Sequence, residues 1–159
     1  MDKAALIAQL VALLSDELNA ARRVARETAE AANHPEARPD SDKDTRKIEL
    51  SYLAAGQASR AAELETGLML LSALSDRPIG EHEPLQAGAL IELDADGKKQ
   101  RVFLSPAGGG LKLKDERGAI SVVTPQSPLG RALLERSVGD SVELVLAGQS
   151  RELEIVGVS

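Results

Sequence analysis

The hydrophobic period of this chain changes once, near Pro78. Before that point apolar residues recur every three or four positions, and after Pro84 they recur every second position. The first period lines one face of a helix and the second lines one face of a strand, so the chain must fold as a helical part followed by a β part.

From Lys3 to about Ala32 the positions Ile7, Val11, Leu14, Leu18, Ala21, Ala25, Thr28 and Ala32 form one stripe. That spacing predicts a helix of about 30 residues, about 45 Å long. The segment NHPEARPDSD then interrupts it, because Pro35 and Pro39 exclude a helix interior and disfavour helix in the residue before each. A second helical run is expected from about Asp42 to Ser75, with Leu50, Leu53, Gln57, Leu64, Leu68, Leu71 and Leu74 on its stripe and Arg77-Pro78 ending it. Two long helices joined by a short loop make an antiparallel hairpin. Large leucines gather at the chain start and between Leu64 and Leu74, while alanine, serine and threonine dominate towards the loop, so the far end is expected to be thin and closely packed.

Beyond Pro84 the runs GALIELD, QRVFLS, LKLKD, AISVVT, SVELVL and RELEIVG read as strands of an antiparallel sheet. Asp96-Gly97 is a hairpin turn, and Gly108-Gly109-Gly110 and Val138-Gly139-Asp140 punctuate later connections. Ser127-Pro128 reads as an N-cap with proline at the first helical position, opening the short helix PLGRALLE. The fold class is α+β, with a hairpin over 1–78, its acidic tip near 33–44, and a β-rich domain over 79–159.

Composition removes several functions. Net charge is −6 with acids and bases interleaved, which opposes holding nucleic acid by phosphate neutralisation. Tyr52 and Phe103 are the only aromatics, so base-stacking platforms are excluded. There is no cysteine, and His34 and His82 stand far apart beside prolines, which excludes thiolate zinc sites and disfavours a pre-built transition-metal site. The apolar start is interrupted by Gln9 and lacks an Ala-x-Ala cleavage pattern, so it is not read as a signal peptide. No segment is expected to approach the roughly 20 apolar residues that span a bilayer. The expectation is a cytoplasmic protein that does not engage membranes.

The tail AISVVTPQSPLGRALLERSVGDSVELVLAGQSRELEIVGVS, with its strand, Ser-Pro pair, short helix, Val-Gly-Asp turn and two closing strands, resembles the Gre family of bacterial transcription factors. The Tyr-Leu-Ala-Ala-Gly-Gln stretch of the second helical run and the acidic loop before it extend the resemblance over essentially the whole chain. The resemblance implies an FKBP-like globular domain that docks at the rim of the RNA polymerase secondary channel and a coiled-coil hairpin that reaches the active site. In cleavage-stimulating members, tip carboxylates help hold a second Mg²⁺ and the water that hydrolyses the 3′ end of a backtracked transcript.

Carried onto this chain, the tip candidates are Asp40, Asp42 and Asp44, acting on Mg²⁺ jointly with the polymerase and with no cofactor bound stably. Mg²⁺ takes oxygen ligands and usually only one or two from protein, which is why carboxylates suit the task. The family's pattern is an aspartate followed three residues later by a glutamate. Counting back from Gly56, Asp44 stands at the glutamate position and Ser41 at the aspartate position, so Asp40 or Asp42 would supply the second carboxylate. Helix capping is the competing reading, since Ser41-x-x-Asp44 also resembles a capping box. Ser127, Pro128 and Leu129 match the family's Ser-Pro-apolar turn, whose implied role is polymerase docking, with Gln126 where an acid often stands. The competing reading there is a capped short helix with Leu129 partly in the core.

The partners expected are bacterial RNA polymerase and the nascent RNA 3′ end inside it, with the protein acting as a monomer. No nucleophile, base and orienting group pair up and no cofactor motif occurs, so the chain is expected to act on another enzyme's chemistry rather than to be an enzyme. Three rivals stand beside the cleavage reading: a channel-occupying regulator that does not stimulate cleavage; a prolyl isomerase suggested only by the FKBP-like half, for which Phe103 alone supplies too little aromatic lining; and a plain coiled-coil adaptor whose hairpin binds another helix.

Overall fold

The computed structural model describes residues 3–34 and 41–159, with the backbone alone for 41–43. Its helices are α1 (Lys3–Ala32), α2 (Ser41–Ser72) and α3 (Pro128–Leu133). Six strands complete it: β1 (Leu90–Ala95), β2 (Lys98–Leu104), β3 (Lys112–Asp115), β4 (Gly118–Val123), β5 (Ser141–Leu146) and β6 (Gln149–Val158). A long helical hairpin therefore precedes a six-stranded, mostly antiparallel sheet, as the change of period predicts. The chain divides into two compact units, Ala12–Leu68 and Met1–Val11 with Met69–Ser159.

In the helical unit, Leu14, Leu18, Ala21, Thr28 and Ala32 of α1 and Ala61 and Leu64 of α2 are buried. The residues become smaller towards the loop, which lets two backbones approach closely. Ion pairs Arg22–Glu65 and Arg60–Glu17 cross between the helices at half-exposed positions, where such pairs contribute little to stability.

Three details of the helices differ from expectation. The buried positions at the start of α1 are Lys3, Leu6 and Leu10, while Ile7 and Val11 flank them half-buried. On α2, Leu53 is 50% exposed, and Ala54 stands beside Leu50 and Gln57 on the inward side. α2 also ends at Ser72 rather than Ser75, because Ala73 and Leu74 donate to the carbonyls of Leu70 and Leu71, the tighter i→i+3 pattern that closes helices. The membrane expectation needs correction too: α1 holds an 18-residue window of mean hydropathy 1.3, long and apolar enough to cross a bilayer by composition. Along this helix Leu6, Leu10, Leu14 and Leu18 are buried within protein.

In the other unit the strand order is β3-β4-β2-β1-β6-β5. Pairing is antiparallel throughout except between β2 and β4, which run parallel, a departure from the wholly antiparallel sheet expected. The reason lies in the connections. The chain leaves β2, passes over one strand's place and returns as β3 on the edge; β4 then turns back from β3 and fills the gap, so it must run with β2.

One face of the sheet carries Ile91, Leu93, Ala95, Val102, Leu104, Val142, Leu153 and Ile155, packed with Leu133 of α3 into the main core. On the opposite face Leu90, Phe103, Ile120 and Val122 are buried as well. The first turns of α1 lie on the β3 side of the sheet: Leu10 stands beside Gly108, and the Gln9 side chain bonds to Lys114. Lys3, almost fully buried, donates from Nζ to the carbonyl of Arg77 at 2.7 Å, and burial lowers its pKa from the ordinary lysine value.

Candidate functional site

The expected tip begins α2. Asp44 is exposed, as are Thr45, Arg46, Lys47, Ile48 and Glu49 after it. Asp42 lies in the first turn of the same helix, and its side chain is outside the described residues, as is the whole of Asp40. Asp44, Ile48 and Tyr52 are spaced by four residues and so share one helix face. Ile48 is 56% and Tyr52 77% exposed, and with Lys47, Ser51 and Ala55 they line a shallow surface groove. A carboxylate thus heads an exposed apolar stripe. The inward stripe of leucines that the sequence shows does not predict the exposure of Ile48 and Tyr52 on the outward face.

At the other candidate site Ser127 caps α3. Its Oγ accepts from the Gly130 N–H at 3.0 Å and donates to the Thr124 carbonyl at 2.8 Å, while Pro128 takes the first helical position, where its missing N–H costs nothing. Pro128 is exposed; Leu129 is half-buried against the main core. Capping and core packing are therefore both present at these positions, and the side chain they offer to a partner is Pro128. Arg131 folds back to donate from Nε and Nη2 to the Gln126 carbonyl at 3.0 and 2.7 Å, which fixes the turn before the cap. Gly130 was not singled out from the sequence, yet a Cβ there would come within 1.9 Å of the Thr124 carbonyl oxygen. The Ser-Pro-Leu-Gly turn closes only on glycine.

The sheet holds a third polar group that sequence reading missed. Arg101 on β2 reaches Asp115 on β3, its Nη1 and Nη2 meeting the two carboxylate oxygens at 2.6 and 2.5 Å. Hydrogen bonding by Arg101, reinforced by the Arg117 N–H, holds the Asp115 carboxyl at about 2, well below its ordinary 3.8. Arg117 in turn pairs with Glu92 on β1 at 2.6 Å. These residues brace the sheet rather than present reactive groups. Phe103 is fully buried, and among the described residues no group of three potential metal-ligating side chains occurs.

Residues 91–159, which contain β1 through β6 and the capped α3, match the family described as transcription elongation factor, GreA/GreB, C-term. The match continues through the hairpin: the chain is 29% identical over 164 residues to transcription elongation factor GreA of Rhodopseudomonas palustris (strain TIE-1), covering 99% of this chain and 98% of that protein. The chain is similar to Gre-family proteins. GreA of Paracoccus denitrificans (strain Pd 1222) is 28% identical over 145 residues, covering 89% of this chain and 86% of that protein. Among solved structures, GreA factor homolog 1 of Thermus thermophilus overlays with a TM-score of 0.40 and 24% identity, covering 98% of this chain and 93% of that one. The candidate tip lies in the helical unit and the capped turn in the sheet unit.

Proposed function

We propose that this chain acts as a Gre-family factor: it binds RNA polymerase through its sheet domain, inserts the helical hairpin into the secondary channel, and stimulates hydrolysis of backtracked RNA with carboxylates at the hairpin tip. The carrying observation is the exposed run 44–49 near the start of α2, where Asp44 heads a helix face left open to solvent. An exposed carboxylate at the end of a stiff two-helix arm suits delivery to a site another protein completes. Mg²⁺, held jointly with the polymerase, would polarise the phosphate and activate water. Asp44 offers one oxygen ligand of the right hardness, and Asp40 and Asp42 are the neighbouring donors. The chain itself is not the enzyme in this reading; the polymerase performs the hydrolysis. Its place of action is the cytoplasm, where that partner works.

Ile48 favours a second reading. One turn after Asp44 on the same face stands an apolar side chain, 56% exposed, which adds contact area in a channel but no metal ligand. That arrangement serves a regulator that occupies the channel without provoking cleavage. The deciding experiment follows transcript cleavage in a stalled, backtracked elongation complex with Mg²⁺, comparing the chain with its Asp40→Ala/Asp42→Ala/Asp44→Ala variant. Faster release of short 3′ fragments, lost in the variant, is the expected result. Binding together with slowed intrinsic cleavage would establish the regulator instead.

A further inference from the structure

The two edges of the sheet are treated differently. At the β3 edge the Gln9 side-chain amide donates to the Lys114 carbonyl at 2.8 Å and accepts from the Lys114 N–H at 3.2 Å, occupying the hydrogen-bonding groups a foreign strand would use. The β5 edge has no such guard among the described residues.

The register tells which β5 groups are open. Ala147 and Gly148 both have positive φ, 50° and 78°, so β5 and β6 are joined by a two-residue type I′ turn closed by the Leu146–Gln149 pair. Hydrogen-bonded and non-hydrogen-bonded pairs alternate from there, so Leu146, Leu144 and Val142 bond to β6 while Val145, Glu143 and Ser141 aim their N–H and C=O groups away from it. Those three residues are all exposed.

The edge also lacks the usual deterrents. It carries no proline, lysine or bulge, and it ends in Val145 and Leu146, 62% and 55% exposed. Its one charge, Glu143, lies directly opposite Glu152 on β6, a like-charge pairing that disfavours the isolated sheet; a hydrogen bond from Ser150 Oγ is the compensation present. Glu154, two residues along β6, and its partner Asp94 on β1 continue the acidic row on that face.

We propose that β5 is a docking edge for an extended segment of a protein partner in which apolar and basic residues alternate. The backbone of the added strand pairs with Glu143 and Val145. Its basic residues come beside Glu143 and relieve the repulsion from Glu152, and its apolar residues extend the core past Leu144 and Leu146. A second copy of this chain is a poor occupant, because antiparallel pairing of two β5 edges sets glutamate beside glutamate; an anionic nucleic acid meets the same obstacle. The inference is independent of the polymerase reading.

The test uses the full chain and a synthetic hexapeptide of alternating valine and lysine, with a valine and glutamate hexapeptide as control, monitored by amide hydrogen exchange and titration. The lysine peptide is expected to bind and to slow exchange at Glu143 and Val145. Val145→Pro, which removes an outward N–H without touching the β6 ladder, is expected to lose that binding with the fold retained. Glu143→Lys, which turns the Glu152 pairing attractive, is expected to fold and to shift preference towards the glutamate peptide by about fivefold, the scale of a cross-strand charge pair. Equal binding of both peptides to the wild type, no protection at Glu143 and Val145, or protection that grows with protein concentration before any peptide is added would each overturn the proposal.

Discussion

The side chain of Gln9 brackets the backbone of Lys114, meeting its N–H and its C=O with the two ends of one amide. An amide mimics a peptide group, so the first turns of α1 stand in for a missing strand on the β3 edge. Gln9→Leu keeps the size and removes both bonds. It is expected to lower stability by about 1 kcal/mol, since each bond is exposed and worth at most that much, and to speed hydrogen exchange of the Lys114 amide. Unchanged exchange at Lys114 would show that the bracket does not close the edge.

Two glycines should respond oppositely to the same substitution. At Gly130 the added methyl meets the Thr124 carbonyl oxygen, so Gly130→Ala must open the turn that Ser127 caps, costing about 2 kcal/mol or more. At Gly56, inside α2, nothing lies within 4 Å, and Gly56→Ala is expected to gain about 0.5–1 kcal/mol of helix stability. Urea denaturation of the two variants followed by circular dichroism checks both signs.

How far the sequence reached can be judged on these same residues. The change of period near Pro78 gave the helices before it and the strands after it, and Ser127-Pro128 gave α3, because capping and strand alternation are local rules. Choosing Leu6 and Leu10 over Ile7 and Val11 was beyond periodicity, since both pairs are apolar and the choice depends on where Gln9 and Leu10 meet β3 and Gly108. The parallel β2–β4 seam was illegible for the same reason: it follows from a strand skipping a place, which no strand records in its own pattern. Gln9 was noticed as an interruption of an apolar run, but its Lys114 partner lies 105 residues away. At the candidate site Asp44 and Ser127 were legible as residue types, whereas the exposure of Ile48 and Tyr52 and the need for glycine at 130 required coordinates.

The Asp115 carboxyl, held at about 2 by Arg101 and the Arg117 N–H against an ordinary 3.8, ties stability to acid. Its folded pKa is the lower one, so its contribution is complete above the ordinary value and is lost as pH falls from about 4 towards 2. Asp115→Asn is expected to remove that part of the acid slope and to lower stability at neutral pH, because Arg101, almost buried, keeps its charge and loses the carboxylate it donates to. Urea midpoints across pH 2 to 7 for wild type and variant give the difference curve, and parallel curves would refute the assignment.

Pro128 and Leu129 separate docking from packing. Pro128 is exposed at the start of α3 and touches the fold mainly through its fixed backbone angle, whereas Leu129 is half-buried against the main core. Pro128→Ala is therefore expected to leave urea stability within about 0.5 kcal/mol of wild type, and on the polymerase-docking reading to weaken binding to RNA polymerase severalfold. Leu129→Ala removes core contacts as well and is expected to cost about 1–2 kcal/mol, less than a fully buried leucine, so a loss of binding there says little by itself. Equilibrium binding of a labelled chain to polymerase, measured beside the urea midpoints, distinguishes the cases. If Pro128→Ala binds as tightly as wild type while Leu129→Ala loses affinity only in proportion to its stability, the turn serves the fold and the docking contact lies elsewhere on the sheet domain.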